Sequence, residues 1–130
     1  MLASLALVAI IVPAWGQKRM PREETFRRSV DSGNEVRVFT YAQWHRDCTP
    51  REPPRISLRV LPAHGTATLR PGPSTVAIIR EGMPDCTGKT YAGIGVWYTP
   101  FPGFHGADQF DWDVVGETTV SHDTAIIEVR

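Results

Sequence analysis

The chain has 130 residues, room for one domain with a core of its own and not for two. Its 14 basic and 14 acidic residues cancel, which excludes a global field of the kind that gathers nucleic acid or an anionic membrane surface. The 11 glycines and 11 prolines, set among many Val, Ile, Thr and aromatic residues, favour short strands joined by turns over helices.

Leu2 to Val12 is an uncharged, mostly apolar run, too short for the roughly 20 residues that cross a bilayer as a helix but of the length found in a secretory leader. Pro13 breaks it, and Ala14 and Gly16 place small residues three and one positions before a cut ahead of Gln17, as signal peptidase requires. The missing Lys or Arg ahead of the run departs from that pattern. The sequence therefore divides into a signal peptide, 1–16, a flexible N-terminal segment, 17–24, and a folded domain, 25–130. The mature protein is expected to be periplasmic or secreted. No second apolar stretch would insert it stably in a membrane.

Export carries Cys48 and Cys86 into an oxidising compartment, so a disulfide between them is expected. Metal ligation by the pair competes with that reading, but the two lie far apart without the paired spacing of a zinc knuckle.

Along the chain, Thr25 to Val30 reads as a first strand, ended by Asp31-Ser32-Gly33-Asn34. Glu35 to His45 reads as a longer strand carrying Val36, Val38 and Trp44, and Arg46 to Pro54 as a loop holding Cys48. Ile56, Leu58 and Val60 alternate with Arg55, Ser57 and Arg59, the pattern of a strand with one dry face. Pro62-Ala63-His64-Gly65 turns it. Thr66 to Leu69 and Thr75 to Ile79 flank Arg70-Pro71-Gly72-Pro73-Ser74 as a hairpin, and Arg80 to Ala92 is a long loop with Cys86. Ile94 to Thr99 is the next strand. Gln109 to Val115 sets Phe110, Trp112 and Val114 against Asp111 and Asp113, and Thr124 to Val129 closes the chain with Ala125, Ile127 and Val129 inward. Seven or eight strands with turns about every ten residues suit an antiparallel β-sandwich.

One stretch is specific: Gly95-Val96-Trp97-Tyr98-Thr99-Pro100, then Pro102-Gly103-Phe104-His105-Gly106-Ala107-Asp108, then Gln109-Phe110-Asp111-Trp112-Asp113-Val114, preceded by Pro62, Gly65, Thr66 and Leu69. It resembles the bacterial Ig-like and cadherin-like modules, in which a Tyr-x-Pro strand leads through Pro-Gly-Phe-x-Gly-x-Asp into Phe-x-aromatic-x-Val. The resemblance covers about half of the chain in a single copy. It implies an Ig-like or cadherin-like sandwich used outside the cytoplasm for adhesion, spacing or docking. Gly103 and Gly106 are expected to take conformations that a Cβ hinders, and Phe104 to plug the end of the sandwich.

Chemistry finds little footing. Asp108, Asp111 and Asp113 are close enough in sequence to suggest calcium, but calcium needs six to eight oxygens and these modules assemble them at junctions between copies. Asp111 and Asp113 read more simply as a solvated strand face, and Asp108 as a turn or strand-entry residue. His45, His64, His105 and His122 share no metal-ligand spacing. Ser121-His122-Asp123 has the residue types of a triad, yet neighbours on a strand face opposite sides. No cofactor, metal or catalytic residue is assigned. Consecutive Trp97 and Tyr98 cannot both face the core, and Phe39 and Tyr41 oppose Val38 and Trp44, so the outward members would form an apolar strip for a protein partner or a sugar ring. Ordinary surface aromatics lying beneath arginines are the plainer expectation. The expected function is a non-enzymatic exported domain that contacts an envelope or extracellular protein, with a carbohydrate- or metal-binding periplasmic domain as the alternative.

Overall fold

The computed structural model describes residues 21–78, 82 and 85–130. The signal peptide and residues 17–20 of the expected flexible segment lie outside these residues, as do Ile79, Arg80, Glu81, Met83 and Pro84. The described chain is all-β without a helix: β1 (Arg22–Val30), β2 (Val36–Tyr41), β3 (Arg55–Val60), β4 (Gly65–Thr75), β5 (Thr90–Pro100), β6 (Gly106–Val115) and β7 (Val120–Val129). One sheet runs β1-β7-β6-β3 and the other β2-β5-β4. The strand expected from Thr25 starts at Arg22, three residues earlier. The sheet it joins is mixed rather than purely antiparallel, because β1 runs parallel to β7 from Arg22↔Ser121 to Val30↔Val129.

Side chains from both sheets meet in one core. Trp112, Tyr98, Phe110, Ile127, Val38 and Val96 are its largest apolar members, all fully buried. Phe110 and Trp112 sit 5.2 Å apart, Tyr98 lies 5.9 Å from Phe110, and Phe26 lies 6.0 Å from Trp112, so aromatic rings run through the middle of the molecule. Burying each such side chain contributes about 1.5–3 kcal/mol before packing is counted. Ala125, Ile127 and Val129 face inward as the alternation of the last strand requires. Gly65 is needed for a different reason: a Cβ there would stand 2.5 Å from the ring of Tyr98, which lies across the start of β4. Gly103 and Gly106 both adopt positive φ, and Phe104 packs on the end of the core against His64, ring centroids 4.3 Å apart.

Three elements depart from simple alternation. The expected hairpin around Arg70-Pro71-Gly72-Pro73-Ser74 is absent, and β4 runs straight through it in unbroken register with β5, from Gly65↔Pro100 to Thr75↔Thr90. β4 is an edge strand, and two prolines two residues apart aim their missing N–H groups the same way, so the ladder loses nothing if that way is outward. A register shift between Leu58 and Val60 turns Val60 to solvent, 49% exposed, where strict alternation would bury it. β2 ends at Tyr41 rather than His45, and Trp44 keeps only an isolated bridge to Pro50.

Candidate functional site

The disulfide forms between Cys48 and Cys86, with Cα atoms 5.5 Å apart. It joins the β2–β3 loop to the β4–β5 loop, at the end of the sandwich where β1, β3, β5 and β7 begin. Other contacts bind the same end together. The Tyr91 hydroxyl donates to the Cys48 carbonyl at 2.8 Å, Trp44 stacks on Tyr91 at 5.1 Å, and Arg51 pairs with Glu117 of the β6–β7 loop at 2.6 Å.

The four aromatic candidates do not make a surface strip. Tyr98 is fully buried. Phe39 and Tyr41 also turn between the sheets, because the bulge at Val38 interrupts the alternation that would point them outward. Phe39 stacks on Phe26 at 4.9 Å and contacts Tyr41 edge-on. Only Trp97 faces out, its indole lying close over Gly95 while the Arg70 guanidinium covers the ring at 4.8 Å. Arg70 is fixed there by a two-pronged bond to Glu35, at 3.0 and 2.6 Å, so the face a sugar would stack on is taken.

Phe39 and Tyr41 instead line an open cleft of about 850 Å³ together with Trp44, Ile78, Arg28 and Asp123. Tyr41 and Ser121 both donate to the carboxylate of Asp123, which is 2% exposed, and the Trp112 indole N–H donates to the Tyr41 oxygen at 3.0 Å. Burial first, then the bond to Asp123, pushes the Tyr41 phenol well above the ordinary tyrosine range. The chain Trp112-Tyr41-Asp123-Ser121 sets the serine directly on a carboxylate, with no imidazole between them. His122 lies on the opposite face of β7, bonded to Asp113, with Arg59 3.5 Å from the same oxygen. Ser121, His122 and Asp123 therefore do not assemble a triad.

Asp108 sits at the entry to β6, as one of the two expected placements has it, but with its side chain in the interior. It is 7% exposed and accepts from the Ala63 and His64 amides at 3.1 and 3.0 Å, from the Tyr98 hydroxyl at 2.7 Å and from the Gln109 amide at 2.9 Å. Asp111 and Asp113 project from the other face of β6, so the three carboxylates do not converge on an ion. Among the described residues no three His, Cys, Asp or Glu side chains stand close enough to share a metal. Burial, with the Asp108 bond next, also raises the Tyr98 phenol.

A testable consequence follows for Tyr41 and Tyr98, two of the three tyrosines. Their folded-state pKa values are raised, so the stability they confer is full below the unfolded phenol's pKa of about 10 and is lost as pH climbs beyond it towards the folded values. In an alkaline titration followed at the tyrosinate absorbance, these two phenols should ionise only with unfolding. Reversible ionisation of all three with intact near-ultraviolet dichroism would overturn the buried assignment.

Sequence reasoning did not single out the opposite end. There Leu61 is 68% exposed and Phe101 49% exposed, on two loops joined by a bond from the Phe101 amide to the His64 carbonyl at 2.8 Å. The Asp108 bonds to Ala63 and His64 stiffen the loop that carries Leu61. Leu61 and Phe101 each follow a strand in the sequence, and alternation says nothing about loop side chains. Comparison with protein-family models, with characterised proteins and with solved structures gives no match for this chain.

Proposed function

We propose that the chain is an exported, non-enzymatic Ig-like domain that docks on an envelope or extracellular protein through the end bearing Leu61 and Phe101. The order of strands supports the Ig-like part. Ig domains carry B, E and D on one sheet and C, F and G on the other, and β2-β5-β4 and β3-β6-β7 repeat both runs, with β1 added beside β7. The observation that carries the docking part is that two large apolar side chains face water from adjoining loops, the Leu61 loop tied down by the buried Asp108 carboxylate and the Phe101 loop bonded to it through the Phe101 amide. A stiff apolar projection loses little entropy on binding, which is the property of an interface anchor.

The test is a photo-crosslinking amino acid placed at position 61 of the full chain in the exporting cell, with position 66 on the sheet face as control. One discrete adduct from 61, weakened by Phe101→Asp, supports docking. Equal adducts from both positions, or none, reject it. A second reading, a small-ligand site in the cleft, is favoured by the Trp44 indole nitrogen, which is buried without a hydrogen-bond partner among the described residues. A sugar that raises the thermal midpoint of the wild type and not of Trp44→Phe would favour that reading.

A further inference from the structure

Four strands lie at sheet edges, and three of them carry features that discourage pairing with another chain. β4 holds Pro71 and Pro73, β3 is six residues long with a register shift, and β2 has its own shift with its Val38 carbonyl already accepting from Arg28 at 3.1 Å. β1 is the least interrupted, with its Arg27 carbonyl accepting from the neighbouring Arg28 side chain. It is nine residues long, free of proline, and in unbroken register with β7 on one side. Among the described residues nothing pairs with its other side.

After Arg22, the charges on β1 are arranged as Glu23-Glu24-Thr25-Phe26-Arg27-Arg28, acidic then basic about a central pair. Such a pattern is complementary to itself when the strand is reversed. We infer that β1 pairs antiparallel with β1 of a second copy, joining two four-stranded sheets into one across a two-fold axis. Keeping the buried faces of both sheets on one side allows the registers that centre on Thr25 or on Phe26. The first sets Glu23 directly opposite Arg27 of the second copy and the second sets it diagonally opposite, twice by symmetry, both within reach of these side chains. The second register also sets Glu24 opposite Arg28, whereas the first sets Arg22 opposite Arg28, so the register centred on Phe26 is the favoured one. Glu23 and Arg27 are exposed, and among the described residues neither forms an ion pair within the chain. Arg28 is partly committed, through its bonds to the Val38 and Arg27 carbonyls, so Glu23 and Arg27 are the decisive pair.

The experiment is sedimentation equilibrium of the full exported chain, wild type beside Glu23→Arg and Arg27→Glu, each checked for wild-type far-ultraviolet dichroism. The wild type should dimerise, and each variant, with two favourable pairs turned repulsive, should dimerise roughly tenfold more weakly or worse. Mixing the variants one to one should restore association, because Arg at both positions 23 and 27 of one strand then meets Glu at both positions of the other. A monomeric wild type, variants that associate as well as the wild type, or a mixture that stays monomeric overturns the inference. Amide exchange supplies a check without mutation. Exchange along β1 should slow as protein concentration rises, and exchange independent of concentration overturns the inference equally.

Discussion

Replacing Asp108 with alanine should lower the unfolding free energy by about 3 kcal/mol or more, the largest loss expected from any single polar substitution in this chain. Four donors converge on its carboxylate: three backbone amides and the Tyr98 hydroxyl. Alanine leaves those donors buried or half-buried without an acceptor, and each unsatisfied group costs about 1–3 kcal/mol. For a domain of this size the thermal midpoint should fall by roughly 15 °C. Asn retains one acceptor oxygen but presents an amide to the remaining donors, so Asp108→Asn should fall between wild type and alanine. Asp113→Asn, on the solvated face of the same strand, should cost about 0.5 kcal/mol or less. Chemical denaturation of the three variants measures this series. Equal midpoints for Asp108→Ala and Asp113→Asn would show that water replaces the carboxylate and that the loop carrying Leu61 is not held by it.

The second large effect concerns the disulfide. Its closed loop spans a sequence separation of 38. Restricting the unfolded chain to that extent is worth on the order of 4 kcal/mol, comparable with much of a small domain's net stability. Cys48→Ala with Cys86→Ala, or the wild type under reductant, should therefore unfold at a clearly lower urea concentration, with a steeper dependence on urea because the unlinked chain exposes more surface. Both cysteines lie in loops outside the core cluster, so the near-ultraviolet signal of the buried aromatic rings should survive below the new midpoint. Two thiols should be alkylated only after reduction. A loss smaller than about 1 kcal/mol would mean that the Arg51–Glu117 and Tyr91–Cys48 contacts already hold this end closed, or that the reduced unfolded chain is compact.

Those two groups differ in how visible they are beforehand. Two cysteines without metal-ligand spacing announce a bridge once export is expected, and Phe110, Trp112, Ala125, Ile127 and Val129 announce a buried face by period. Asp108 could be read from sequence only as a residue at a strand entrance, because a carboxylate buried by backbone amides from a loop 44 and 45 positions away leaves no periodic trace. Each failure of the aromatic strip and the hairpin has a single local cause. The extra residue at Val38 reverses the facing of everything after it, so Phe39 and Tyr41 turn inward. Pro71-Gly72-Pro73 is turn chemistry in most contexts and strand chemistry at an edge, and nothing in the segment itself says which strand lies at the edge. The cleft beneath Tyr41 and Trp44 depends on the bulge and on a loop crossing over the sheet end, so it was not legible in the sequence.

The parallel contact between β1 and β7 also governs the order in which the molecule can be completed. Among the described residues β1 finds its only in-sheet neighbour in β7, with Arg22 beside Ser121 and Val30 beside Val129. Across the core β1 can rest early on β2, through the Phe26–Phe39 stack and the Arg28 bond to the Val38 carbonyl, but its sheet partner is distant, and closing so long a loop is entropically costly and slow. A chain emerging from its N-terminus cannot pair β1 until Val120–Val129 has followed, although β2-β5-β4 and β3-β6 can assemble before then. The seam between β1 and β7 is therefore the last to close, and the first strand stays the part most open to a rival partner.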